Sequence, residues 1–244
     1  FTFSISDSYF EHEIEQDGVT IRSYVFMSEV EAGIAVTDIA AKAMKLYGEL
    51  LYPYPRDLIS IVVGDFQQNM EMDGLIMISY GIFDFYDGKQ ETDLDYNLFM
   101  LVPHELSHQW FYGFVHNNQA LEPWLDEALA TYSEYLFYEI HHPNLVDWWW
   151  DYRVASYAPE GPVNATIYDF NQYRLYINAV YLRGASFLHA ALQEIGDQAF
   201  FSYLLHYVQS NADINHLRHA DDFIELFFNR SDPQHRRLLQ EYFQ

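Results

Sequence analysis

The 244 residues are enough for one large domain or two lobes with a full core, and half of them are hydrophobic. Twelve Lys and Arg against 36 Asp and Glu give a formal charge of −24, a surface that repels nucleic acid and anionic lipid and either favours cationic peptides or serves solubility alone. With no cysteine there is no disulfide, thiol nucleophile or thiolate-bound metal, and no apolar run approaches the roughly 20 residues of a membrane helix.

Residues 1–26 alternate apolar and polar as strands do, in Phe1-Thr2-Phe3-Ser4-Ile5 and again in Val19-Thr20-Ile21-Arg22-Ser23-Tyr24-Val25. The Asp17-Gly18 pair between such runs predicts a hairpin. From about Ser28 to Leu51 the apolar spacing becomes helical, and Tyr52-Pro53-Tyr54-Pro55 ends it, since proline cannot continue a helix. Leu58 to Val63 and Leu75 to Ser79 read as short buried strands. Gly81 to Asp93 is polar and turn-rich, a loop. A helix is predicted from about Asp93 to Phe114, with Pro103 either kinking it or marking a later start. From Glu122 onwards nearly everything reads as helix, apart from a loop near Ala158 to Asn171. Aromatics make up 18% of the chain, so the core should be rich in rings. The economical architecture is α+β, with a β-rich lobe over about 1–92 and a helical lobe over about 93–244.

The chemistry concentrates in the predicted helix, at His104-Glu105-Leu106-Ser107-His108. Residues four apart share a helix face, so His104 and His108 can present two imidazoles to one metal. Glu105 lies about 100° round the helix, near the metal yet free to act as a base. Glu127 supplies a third donor, and two histidines with a carboxylate are the ligand set of a catalytic zinc, with water in the fourth position. The expected cofactor is one zinc ion. Pro123 suits a first helical turn, so Glu122-Pro123-Trp124-Leu125-Asp126-Glu127 reads as a helix start with Glu127 one turn in. Thr131 shares the face of Glu127 and either supports that ligand or bonds its own backbone.

These segments resemble the catalytic domain of the gluzincin aminopeptidases, the family of alanyl aminopeptidase and leukotriene hydrolase. His104 to Phe111 is similar to the family's HELxHQWF, and Trp124-Leu125-Asp126-Glu127 to its WLNE. Gln68-Asn69-Met70-Glu71-Met72-Asp73-Gly74-Leu75-Ile76 resembles GAMENWGLI, and Tyr181-Leu182-Arg183-Gly184-Ala185 resembles YxKGA. The resemblance implies a thermolysin-like fold and hydrolysis of peptides from the amino terminus. It implies His104, His108 and Glu127 as zinc ligands, Glu105 as general base and Tyr181 as oxyanion donor. Glu71, with Met70 beside it, is implied as the anchor for the substrate's α-amine. Gln68, Met72 and Asp73 depart from the family's Gly, Asn and Trp, which leaves a zinc endopeptidase or another hydrolase on the same fold as one alternative. A binding or scaffold module without turnover is the other. The family resemblance also implies further domains in the full-length protein, and the acidic, cysteine-free composition points to a bacterial extracytoplasmic setting. His116, His141, His142, His216 and His219 read as surface residues, and Trp148, Trp149 and Trp150 as helix packing.

Overall fold

A computed structural model describes residues 2–65, 68–83, 86, 95–210 and 216–244. The chain divides into two compact units, Phe1–Glu49 with Pro53–Gln109, and Leu50–Tyr52 with Trp110–Gln244. The fold is α+β, a mixed five-stranded sheet followed in the chain by a helical region.

In the first unit, β1 (Phe10–Gln16) and β2 (Val19–Val25) form the hairpin that Asp17-Gly18 signals. Both turn residues have positive φ, 52° and 84°, the two-residue geometry whose twist matches that of paired strands. The long helix α1 (Val30–Leu50) then crosses to β3 (Leu58–Gly64), which runs parallel to β2. The short β4 (Met70–Met72) and β5 (Leu75–Ser79) complete the order β1-β2-β3-β5-β4, with β4 at the edge, antiparallel to β5. Val19, Ile21 and Val25 are buried on β2, as are Ile59, Ile61 and Val63 on β3. Helix α1 is held against this sheet by Ser23 Oγ donating to Gly33 O at 3.0 Å and by a 2.7 Å bond between His12 Nδ1 and Thr37 Oγ1.

The alternation in Phe1-Thr2-Phe3-Ser4-Ile5 does not become a strand; residues 2–6 are irregular. Phe3 and Ile5 remain 74% and 85% exposed, and alternation yields a strand only where its apolar face has something to cover. A single helical turn, α2 (Tyr80–Phe83), opens the stretch expected to be a loop. The rest of that stretch, apart from Tyr86, and the expected helix start near Asp93 lie outside the described residues. Helix α3 (Asp95–Ser107) continues through Pro103, whose carbonyl accepts a 3.2 Å hydrogen bond from Tyr47 of α1. It ends seven residues before the expected Phe114. Ser107 Oγ bonds His104 O at 2.8 Å, and the backbone beyond changes to tighter and wider turns, Gln109 N to Leu106 O and Val115 N to Trp110 O.

The second unit is built on α4 (Trp124–His141), buried from Trp124 to Tyr138 with Glu127 alone keeping partial exposure. A helix apolar all round needs neighbours on every side. Short α5 (Val146–Trp149) runs into a π segment, Trp150–Val154. Beyond the irregular stretch that follows, α6 (Tyr173–Tyr176) runs into a second π segment, Ile177–Leu182, and then into α7 (Arg183–Ile195), which packs on α4. Three further helices follow, α8 (Asp197–Gln209), α9 (Ala220–Phe227) and α10 (Pro233–Phe243). Trp124 is ringed edge-on by Phe187, Phe223 and Phe243 of α7, α9 and α10. Trp148, Trp149 and Trp150 pack, as expected, on Tyr135 and Tyr138 of α4. The buried Glu134 accepts from Arg153 Nε and Nη2, each at 2.9 Å, and from Trp149 Nε1 at 3.2 Å.

Candidate metal centre

His104 lies in the last turn of α3 and His108 just beyond its end. Both are buried, and their Nε2 atoms lie 3.2 Å apart with the rings near perpendicular. Two nitrogens bound tetrahedrally at about 2.0–2.1 Å from zinc would be about 3.3 Å apart. The imidazole pair therefore has the spacing of two corners of one zinc coordination shell, and the donor set fits the metal. Buried Glu105 and Glu71 on edge strand β4 bring their carboxylates to His108, with one ligand atom from each of the three within 4.8 Å of the others. Glu71 pairs with Ile76 in register, so β5 fixes its height on the sheet. Met70 opens the same strand.

On α4, Glu127 sits one turn in, its N–H donating to Pro123 O at 2.9 Å. Thr131 Oγ1 donates to the Glu127 carbonyl at 2.7 Å, the backbone alternative, so its hydroxyl is spent on the helix. Tyr181 is carried by the π segment, whose i→i+5 spacing puts Tyr176 and Tyr181 on one face, ring centroids 5.5 Å apart. Burial first, and then the charge of Glu127, push the Tyr181 phenol well above its ordinary value, and it hydrogen-bonds Glu127. Tyr176 is raised by burial and by the same carboxylate. Sequence reasoning missed Tyr176, because its relation to Tyr181 depends on a five-residue repeat that helical periodicity does not anticipate. Within the first unit, Glu71, Glu105 and His108 form a group able to hold a metal ion.

The departures from the family segment have partners of their own. Gln68 is exposed, two residues before β4. The Met72 carbonyl accepts from Gln109 Nε2 at 3.1 Å, and Asp73 pairs with Arg56, Nε to Oδ1 at 2.7 Å and Nη2 to Oδ2.

Fold and donor set together define a zinc-metallopeptidase catalytic domain. The model of the peptidase family M1 domain matches residues 35–235, and the chain belongs to that family. Among curated proteins it is similar to aminopeptidase M1-D of Oryza sativa subsp. japonica, 27% identical over 220 residues covering 82% of this chain and 24% of that protein. It is also similar to endoplasmic reticulum aminopeptidase 1 of Homo sapiens, 25% identical over 222 residues covering 86% of this chain and 24% of the other. The chain thus spans about a quarter of the length of these relatives. An M1 zinc metallopeptidase from Deinococcus radiodurans superposes with a TM-score of 0.66 at 21% identity, covering 97% of this chain and 52% of that one. A two-domain M1 zinc metallopeptidase variant bound to L-arginine superposes at 0.67 and 20% identity, covering 96% and 51%. At such identities these likenesses establish the fold alone. No helix among the described residues is long and apolar enough to cross a membrane.

Proposed function

We propose that this domain removes N-terminal residues from peptides, with one zinc ion held by His104, His108 and Glu127. When bound, zinc lowers the pKa of water to about 7 and polarises a carbonyl oxygen. Glu105 takes the proton of the attacking water and passes it to the leaving amine. The Tyr181 hydroxyl, kept protonated by burial and by Glu127, donates to the carbonyl oxygen as negative charge develops there. Glu71 pairs with the substrate's α-ammonium, with Met70 beside it on β4, and so places the first peptide bond at the base.

The observation that carries this reading is the convergence of Glu71 on Glu105 and His108. An endopeptidase has no use for a carboxylate at that point, whereas an aminopeptidase needs one a single residue's length from the reacting carbonyl. The test is a panel of aminoacyl fluorogenic amides beside their N-acetylated counterparts, with and without added zinc, in the parent and in Glu71→Ala. Zinc-dependent cleavage of the free-amine set, lost in Glu71→Ala, is the expected result. Equal cleavage of blocked and free substrates would instead support the endopeptidase reading, which the changes at Gln68, Met72 and Asp73 favour.

A further inference from the structure

We infer that Gln109 is a positioning residue, whose side-chain amide holds the β4–β5 turn and through it sets Glu71 against His104 and His108. The inference rests on Glu71 being the amine anchor proposed above.

Among the described residues two Asp-Gly pairs form hairpin turns, and they behave differently. At Asp17-Gly18 both residues have positive φ, so the turn's own twist suits its strands and needs no outside support. At Asp73-Gly74 only the glycine does, at 76°. That turn is not of the self-sufficient kind, and a two-residue loop of this sort tends to splay its strands.

Gln109 supplies what the turn lacks. Its Oε1 accepts from Gly74 N at 2.8 Å and its Nε2 donates to Met72 O at 3.1 Å, the two backbone groups that flank Asp73. A primary amide offers donor and acceptor side by side, so here it pairs with the hairpin end as a further strand would. Tyr54 Oη adds a 3.3 Å bond to the same Oε1. Gln109 is 1% exposed, where leaving these groups unmatched is costly. The other hold on the turn, Arg56 to Asp73, has side chains 49% and 42% exposed, and ion pairs so placed contribute little.

The leverage comes from adjacency. Gln109 follows His108 directly, and Met72 follows Glu71. One buried side chain therefore ties the metal-binding turn to the residue next to the amine anchor. The strand it grips is three residues long. At the strand's other end, Asn69 Oδ1 accepts from Ser79 N at 2.9 Å. Released at the turn, β4 can shift Glu71 while leaving both imidazoles in place.

The experiment compares the parent protein with Gln109→Met, which keeps the length and apolar bulk but removes the amide. Three quantities are read: hydrogen exchange across residues 68–79, zinc per chain, and kcat and KM on free-amine substrates. Gly74 should exchange faster, zinc should stay at one per chain, and KM should rise about tenfold with kcat changed less, the signature of a misplaced anchor. In a Glu71→Gln background, Gln109→Met should add little further, because its effect runs through Glu71. Unchanged Gly74 exchange, lost zinc, or kinetic losses that simply add would each overturn the proposal. Should Gln109→Met fail to fold, Gln109→Asn, one methylene too short to span both backbone groups, is read in the same way. If the parent shows no preference for free amines, the aminopeptidase reading falls by itself, and the Gly74 exchange decides whether Gln109 holds the turn.

Discussion

Gly184 offers a measurement in which packing and catalysis are read from one substitution. It lies at the start of α7 against Ala128 of α4. A Cβ added there would fall well inside 3.0 Å of the Ala128 Cβ and 3.4 Å from its Cα. Neither atom belongs to a side chain that can turn away, so Gly184→Ala must part the two helices by about 1 Å to reach the roughly 3.5–4.0 Å at which carbons rest. Overpacking of this kind costs up to about 3 kcal/mol. Alanine's better helix propensity offsets about 1 kcal/mol of that, leaving a net loss of about 2 kcal/mol. For a domain of this size such a loss lowers Tm by roughly 4–8 °C. Glu127 precedes Ala128 by one residue and Tyr181 precedes Gly184 by three, so parting the helices also parts the carboxylate from the phenol. Turnover should fall about tenfold with little change in KM. Calorimetry and steady-state kinetics on the single variant, Ala128→Gly and the double variant test both effects. In the double variant the clash is relieved, and Tm should recover beyond the sum of the single changes. A Gly184→Ala protein as stable as the parent, or more stable, would refute the reasoning, because only the propensity gain would then be showing.

Glu105→Gln should keep one zinc per chain while lowering kcat by about 10²–10⁴, the range for losing a general base; metal analysis beside the amide assay checks it, and retained turnover would remove Glu105 from that role. His189 yields a pH prediction. Burial lowers its pKa below the ordinary 6.5, against a smaller opposing pull from Glu139. The unfolded chain therefore binds this proton more readily than the folded one, and the neutral ring's contribution, complete above pH 6.5, is lost as pH falls towards the folded value. Urea unfolding at steps between pH 7.5 and 5 should show that decline, and His189→Asn should flatten it. An unchanged slope in the variant would assign the decline to other groups.

Much of the fold was legible because periodicity maps directly onto faces. The run through Ile39 and Met44 gave α1, the β-branched stretch at Leu58 gave β3, and the i, i+4 spacing of His104 and His108 gave two converging imidazoles. Family membership was legible because four short segments occur in order between residues 68 and 185. What escaped depends on partners distant in the chain. The alternation at Phe3 and Ile5 met no surface to cover. The helix bearing His104 ended at Ser107, where the backbone changes to i−3 and i−5 hydrogen bonds, a change that leaves no trace in apolar spacing. Gln109 gains its meaning from Met72 and Gly74, 37 and 35 residues away, and Gly184 from Ala128.

The Asp-Gly turns at 17–18 and 73–74 mark where local rules stop deciding structure. The dipeptide alone favours positive φ at both positions, and Asp17-Gly18 adopts it. At Asp73-Gly74 a buried amide offers the flanking backbone a donor and an acceptor, and Arg56 draws the aspartate side chain outward. Two well-placed hydrogen bonds in a buried setting outweigh the modest preference of a turn type. The same competition explains why a family segment can lose its Gly, Asn and Trp and still present Glu71 on an edge strand. On the proposal above, the strand's position is set from outside the segment, by Gln109, the residue after His108. Glu71 can therefore keep its place on the edge strand with Gln68, Met72 and Asp73 around it, provided the proposed clamp at Gln109 is kept.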